Sequence, residues 1–439
     1  MIKEEIIHGG DNKSYLRKKW DKVFYNIVSK RVPEIYKNNG QVLKIDKEED
    51  LKNLIDKNNF QNNKKWKVII ISVPLNNFIN LVNFFDKLDA TVDEETKIIV
   101  NYYSIIWKPF FALFSFFGLI NNYKSSLFFS KNTLEIFLRT GNFEVSKNLN
   151  NFFIPLQVPF ISKLFSIFFN FLPFFNNLNI TNIFYIRKKN RKINEQKKMS
   201  LIIPCKNEEG NIEKIISEAK KHLTFSYELV FIDDKSSDKT LDVMTDCKNA
   251  NPDIEIKITK GLGEGKAKAI DEGIKIASGY YSIIFDADLT VGMPDMNLFY
   301  SAINNHHADL INGSRLVYKP YSGAMKFLNF LGNIFFSKLA SYVTGEKITD
   351  TLCGSKCFVT DNYKIFNEFK QKNDIHDIWG DFNILYSSNF YGLKCIDLPV
   401  RYYERTEGET KMRKRLFFFF NMLLTSVKAL IRFKINFDK

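Results

Sequence analysis

The stretch YYSIIFDADLTV, residues 280–291, decides how the chain is read. Tyr280 to Phe285 is a short apolar run of aromatic and β-branched residues, which predicts a buried strand. The run ends on Asp286-Ala287-Asp288. Two carboxylates one residue apart raise each other's pKa unless a cation lies between them. Oxygen-only donors favour Mg2+ or Mn2+, which keep positions open for phosphate oxygens. The strand end therefore predicts a divalent cation holding a diphosphate. One Asp-x-Asp is expected by chance in a chain this long, so its weight comes from its neighbours.

Those neighbours alternate regularly. Strands are predicted at Ser200–Pro204, Glu228–Asp233 and Ile254–Ile258, and helices at Glu208–His222, Asp238–Cys247 and Lys266–Ala277. This alternation predicts an α/β layer with a largely parallel sheet, whose ligands lie outside the carboxyl ends of the strands. Three strand ends carry unusual polar chemistry: Pro204-Cys-Lys-Asn-Glu208, Asp233-Asp234-Lys-Ser-Ser-Asp238 and Asp286-Ala-Asp288. Asp233 and Asp234 have two open roles, hydrogen bonding to a nucleobase or ribose, or capping the next helix, which Ser236, Ser237 or Asp238 would also serve. Lys260-Gly-Leu-Gly-Glu-Gly-Lys266 lies between strand and helix and suits phosphate contact. It is not a P-loop, because Ala267 follows the lysine where Ser or Thr is needed.

Charge is uneven along the 439 residues. Residues 1–199 hold 31 Lys+Arg against 18 Asp+Glu, and residues 200–439 hold 32 against 31. A basic half beside a near-neutral one predicts a surface that meets anions and a site that holds cations. Nucleic acid finds no recognisable binding module here. Five cysteines, Cys205, Cys247, Cys353, Cys357 and Cys395, imply no disulfide framework in a chain this long, and Cys353 and Cys357 lack the second pair a zinc site needs. MIKEEIIHGGDNK, at the start, has no apolar core and does not read as a signal peptide.

The run RKKNRKINEQKK, residues 187–198, is polar and basic and is read as a linker. Ahead of it, Trp66–Ser72 and Thr96–Asn101 read as strands flanking a helix near Phe78–Leu88. Apolar stretches near 104–120, 152–175 and Leu416–Phe433 are interrupted by Lys, Arg or Pro, so core or interfacial helices are expected over membrane spans. Met325–Ala340 is expected to be a helix with one broad apolar face.

The motifs together carry a resemblance. SLIIPCKNEE, FIDDKSSDKT, GEGKAKA and FDAD are similar to the family 2 inverting glycosyltransferases of GT-A fold. Asn312-Gly-Ser-Arg315, Asp350-Thr-Leu-Cys-Gly-Ser-Lys356 and Arg405-Thr-Glu-Gly-Glu-Thr-Lys411 resemble motifs of the dolichyl- and polyprenyl-phosphate sugar transferases. The resemblance covers about residues 199–415. It implies that Pro204, Glu208, Asp233 and Asp234 hold the nucleoside, and that Lys266 lies near the donor. It implies that Asp286 and Asp288 bind Mg2+ or Mn2+ and the diphosphate. Arg315, Arg405 and Lys411 would face the donor diphosphate and the acceptor phosphate. Preorganised cations of this kind stabilise the charge that builds on a leaving diphosphate. A lipid-phosphate acceptor is already ionised, whereas a hydroxyl acceptor needs a base, for which Asp381 is the candidate. Lys206 replaces the aromatic often found at that position.

The N-terminal half resembles the later part of an S-adenosylmethionine-dependent methyltransferase domain, from Lys67 to Pro109. No G-x-G-x-G lies in residues 1–199, so the cofactor's backbone cradle is missing and a degenerate domain is expected. The expected architecture is therefore residues 1–186 methyltransferase-like, 187–198 linker, 199–415 GT-A, and 416–439 membrane-associating. The expected activity is sugar transfer from a nucleotide-sugar donor to a polyprenyl phosphate, by a protein peripheral on the cytoplasmic face of a membrane. The alternatives are transfer to a glycan hydroxyl in cell-surface polysaccharide synthesis, and a non-enzymatic scaffold. The intact metal and Arg/Lys motifs argue against the scaffold.

Overall fold

A computed structural model describes residues 24–46, 66–78, 80–117, 127–149, 168, 171–172, 179, 181–189, 196–318, 327–405 and 415–434. The chain divides into two compact units, residues 1–191 with 434–439, and residues 192–433.

In the first unit, β1 (Val42–Ile45), β2 (Val68–Ile71) and β3 (Lys97–Tyr103) run parallel, and β5 (Thr181–Lys188) lies antiparallel between β3 and β4 (Phe143–Leu149). Helix α1 (Leu81–Thr91) starts at Asn80, whose side chain accepts from Asn83 N–H, and buries Leu81, Phe84, Phe85 and Leu88. These pack with Ile69, Ile71, Ile98 and Val100 from the sheet. Two further helices, α2 (Lys108–Phe116) and α3 (Lys131–Thr140), follow β3. The expected strands and helix are thus present, shifted by one to three residues at their ends. The apolar stretch 152–175 lies almost wholly outside the described residues.

The linker begins later than its charge suggests. Arg187 and Lys188 belong to β5, and Arg187 is fully buried, opposite Glu144 on β4, with its Nη2 2.8 Å from the carboxylate. An inward charge on a strand needs such a partner, and the cross-strand register supplies one. At the other end Lys198 is tied to Glu255 at 2.6 Å and Glu228 at 3.1 Å.

The second unit is a seven-stranded sheet in the order β12-β10-β11-β9-β6-β7-β8. The strands are β6 (Met199–Cys205), β7 (Tyr227–Asp233), β8 (Ile256–Lys260), β9 (Tyr281–Ile284), β10 (Leu310–Ser314), β11 (Lys356–Val359) and β12 (Cys395–Pro399). Strands β8, β7, β6 and β9 are parallel, β11 is antiparallel to both β9 and β10, and β12 is parallel to β10. Helices α4 (Ile212–His222), α5 (Thr240–Ala250), α6 (Lys266–Ile276), α7 (Asp295–Asn304), α8 (Phe327–Thr344), α9 (Tyr363–Lys372), α10 (Asp381–Phe390) and α11 (Arg415–Lys434) complete the unit. All four side chains of β9 are buried. It is the middle strand, so its end delivers Asp286 and Asp288 to the centre of the sheet's carboxyl edge. Pro204 sits in an interior strand without breaking the β6–β9 ladder, because that pairing ends at Ile202–Ile284.

Helix α8 divides its apolar residues. Phe336, Ala340 and Val343 point inward, whereas Phe327, Leu328, Leu331 and Phe335 are exposed. Helix α11 packs on this unit. Its Phe419 ring lies 5.9 Å from Phe335 and 5.3 Å from Phe336, its Phe418 lies 5.3 Å from Trp379, and its Ser426 Oγ accepts a 2.9 Å hydrogen bond from the Tyr386 hydroxyl. Leu416, Phe417, Phe420, Leu424, Val427 and Ile431 are exposed. Leu416–Lys434 is long and apolar enough to cross a membrane by length and composition alone, whereas Lys428 and Arg432 within it led the sequence reading to expect a core or interfacial helix.

Candidate functional site

Three loops at the carboxyl edge are laced together by side chains. After β6, Asn207 takes a left-handed conformation (φ 54°), which asparagine tolerates, and its Oδ1 accepts from Ser237 N–H at 2.7 Å. After β7, Asp233 accepts from Ser236 N–H at 3.1 Å. The N-cap of α5 is Lys239, which makes no side-chain cap; Asp238, just before it, accepts from Thr240 N–H through Oδ1 at 3.1 Å. Glu208 is buried and accepts from Asn211 Nδ2 at 2.7 Å. Pro204 is half-buried at the end of β6.

Asp234 does something its spacing did not reveal. Its two oxygens accept from Gly263 N–H at 2.7 Å and Gly265 N–H at 3.2 Å. Both glycines have positive φ (77° and 100°), and a Cβ at Gly261 would lie 2.8 Å from Asp234 Oδ1. The glycine-rich turn is therefore folded around this carboxylate. Each oxygen retains a lone pair for a ligand.

That turn delivers Lys266 to the first position of α6. A cation at a helix N-terminus opposes the macrodipole, and its partner explains it: Lys266 Nζ lies 2.6 Å from Asp286 Oδ1. Burial works to lower the lysine's pKa, but the charges of Asp286, Asp381 and Asp288 override it and raise the pKa. Burial likewise works to raise the Asp286 pKa, and Lys266, Arg315 and Lys356 override that and lower it. Gly354 lets the backbone approach this pair, since a Cβ there would be 2.2 Å from Asp286 Oδ2 and 2.5 Å from Lys266 Nζ.

Asp288 sits beside it. Its Oδ1 accepts from Thr290 Oγ1 at 2.8 Å, its Oδ2 lies 2.7 Å from Arg405 Nη2, and the next residue, Leu289, holds a left-handed conformation (φ 54°) that a bulky side chain rarely adopts. Arg315 makes a bidentate pair with Asp350, Nε at 2.8 Å and Nη2 at 3.0 Å. Asp350 also accepts from Asn333 Nδ2, Leu352 N–H and Cys353 N–H. Burial would raise its pKa; the Arg315 charge and these donors hold it down at about 2.

Asp381, the candidate base, opens α10 after Gly380, and its carboxylate lies 3.1 Å from Lys356 Nζ, with both groups buried. Desolvation and the Asp381 charge raise the pKa of nearby Asp377. Sequence reasoning gave Lys356, Asp350 and Gly354 no individual role. All three lie in the stretch 350–356 that it singled out as a motif. Lys411 lies outside the described residues. Four cations, Lys266, Arg315, Lys356 and Arg405, thus each face a carboxylate. The Arg405–Asp288 pair is the most open on its cationic side, 29% exposed against 15% or less for the other three.

Among the described residues no three His, Cys, Asp or Glu side chains form a cage. Mg2+ needs only one or two carboxylates beside substrate phosphates and water, and Asp286 and Asp288, here paired with Lys266 and Arg405, are the carboxylates that would supply them.

Residues 200–382 match the family model described as glycosyl transferase family 2. The matched residues lie in the second unit, whose sheet is mixed and mostly parallel with helices between its strands. The chain is 29% identical over 174 residues to a dolichyl-phosphate β-glucosyltransferase of Dictyostelium discoideum, covering 36% of this chain and 53% of that protein. It is 28% identical over 227 residues to a dolichol-phosphate mannosyltransferase of Pyrococcus furiosus, covering 50% and 61%. The chain thus spans just over half the length of these relatives. A solved mannosyltransferase of Pyrobaculum calidifontis, in complex with GDP-Man and Mn2+, superposes with a TM-score of 0.39 at 14% identity, covering 56% of this chain and 71% of that one.

Proposed function

We propose that the second unit transfers a sugar, with inversion, from a nucleotide-sugar donor to a polyprenyl phosphate. The observation that carries this reading is the set of four cations gathered at the end of β9, beside an Asp-x-Asp and an Asp234-anchored glycine turn. Pro204, Glu208, Asp233 and Asp234 border the place for the nucleoside. Lys266, Arg315 and Arg405 stabilise the charge that develops on the leaving diphosphate, and Lys411 adds to them from the sequence. Asp288 and Asp286 would hold Mg2+ or Mn2+, which supplies Lewis-acid stabilisation of that diphosphate. The acceptor phosphate is already ionised and attacks without a base. The exposed faces of α8 and α11, in contact through Phe335 and Phe419, support a peripheral position on a membrane, where a polyprenyl chain resides.

A second reading has its own support. Asp381 lies within electrostatic reach of Lys266 and is oriented by Lys356, as a base for a glycan hydroxyl would be. The first unit is read as a degenerate, non-catalytic methyltransferase-like domain. Three parallel strands followed by an antiparallel pair support this, as does a chain without glycine between Asp46 and Trp66. Incubating the full chain with a panel of labelled nucleotide sugars, and either polyprenyl phosphate or oligosaccharide, separates the readings. Label in the lipid phase is expected; label only in oligosaccharide would favour the second reading, and label in neither would sink both.

A further inference from the structure

We propose that α2 of the first unit is a second, independent lipid-contacting element, which lays its apolar face on an anionic bilayer surface. The helix touches its own unit through Phe111, whose ring lies 5.4 Å from Tyr103 and 5.6 Å from Phe128. Away from that contact the chain exposes Ile105, Ile106, Phe110, Leu113, Phe116 and Phe117. Phe116 is 84% exposed and Phe117 65%, which is extreme for residues of this size. Phe110, Leu113 and Phe117 follow helical spacing, with Ile106 one turn before, so they form one stripe. An apolar patch of this extent marks an interaction surface.

Charge identifies the occupant. No Asp or Glu occurs from Thr96 to Leu134, while Lys97, Lys108, Lys124 and Lys131 do. A second run without carboxylates, Val145–Asn194, contains the exposed Phe168. An apolar stripe within a lysine-bearing run of chain that holds no Asp or Glu, with Lys108 on the helix itself, suits the headgroup boundary of an anionic leaflet. Trp107 at the helix start is the amphipathic ring that such boundaries select. This proposal concerns the first unit alone and does not depend on sugar transfer.

The test uses the full chain and vesicles of phosphatidylcholine with and without phosphatidylglycerol. Flotation with the anionic vesicles is expected to fall by at least about tenfold in the double variant Leu113→Glu, Phe116→Glu, since each residue contributes that much when buried. Circular dichroism and melting temperature show whether the variant has folded. Independently, the tryptophan in Phe116→Trp is expected to shift its emission to the blue on vesicles and to be quenched by brominated lipid. A folded double variant that floats like the parent, or a Phe116→Trp chain that brominated lipid does not quench, would overturn the proposal. So would sedimentation showing a dimer of the parent that the double variant abolishes, which would assign the face to a second copy of the chain.

Discussion

Asp234 shows how one carboxylate fixes a loop. It accepts two backbone N–H groups that have no other described partner in the turn, and the loop's left-handed glycines follow from that geometry. Removing a buried acceptor costs about 1–3 kcal/mol. Asp234→Ala is therefore expected to lower kcat/KM for the donor by roughly tenfold or more, with the fold intact, as steady-state kinetics and circular dichroism would record. Unchanged kinetics would show that the turn holds its shape alone. Asp350 makes a pH prediction. Its folded pKa, about 2, lies below the ordinary value of about 3.9. The stability it contributes is fully present above the unfolded value and is lost as pH falls through the folded one. Acid titration of Asp350→Asn against the parent should show a difference on the order of 2 kcal/mol that shrinks between about pH 4 and pH 2. A difference constant across that window would contradict the assignment.

At the scale of elements, periodicity was legible wherever burial was one-sided or complete. Strands β6 to β9 and helices α4 to α6 lie within a few residues of their predicted ends, because Ile212, Ile215, Ile216 and Ala219, for example, all face the same core. Arg187 was not legible: a buried arginine looks like a linker charge until Glu144 is placed across from it. Helix α8 was half legible, because its apolar residues serve both core and surface. The exposed stripe of α11 lies just after Arg413, Lys414 and Arg415 in the sequence. Each basic residue near an anionic surface contributes about 1 kcal/mol, so changing all three to Gln is expected to weaken liposome binding over a hundredfold, roughly 3 kcal/mol. High salt should mimic the change in the parent. Equal sedimentation of parent and variant would remove the charge-based part of the membrane reading.

For the whole molecule, the two units differ in what their sequences disclose. In the second unit Asp286, Asp288, Lys266, Arg315 and Arg405, singled out by residue type and order, lie close together in space. The pairing of each cation with its own carboxylate was not legible, because antiparallel β11 brings Lys356 and Gly354 in from far along the chain. The first unit lacks a glycine loop, so it is expected not to bind S-adenosylmethionine. Calorimetry on the full chain should show no heat at micromolar cofactor, and saturable binding would overturn the degenerate assignment. The central claim is that the end of β9 is where a nucleotide sugar reacts. Its most direct test compares the parent with Asp288→Asn, both purified and shown to be folded, in transfer from a labelled nucleotide sugar to polyprenyl phosphate with Mn2+. Parent turnover and a loss of at least about a hundredfold in the variant are expected for a group that meets the developing charge. Near-normal Mn2+-dependent turnover by Asp288→Asn would contradict the account.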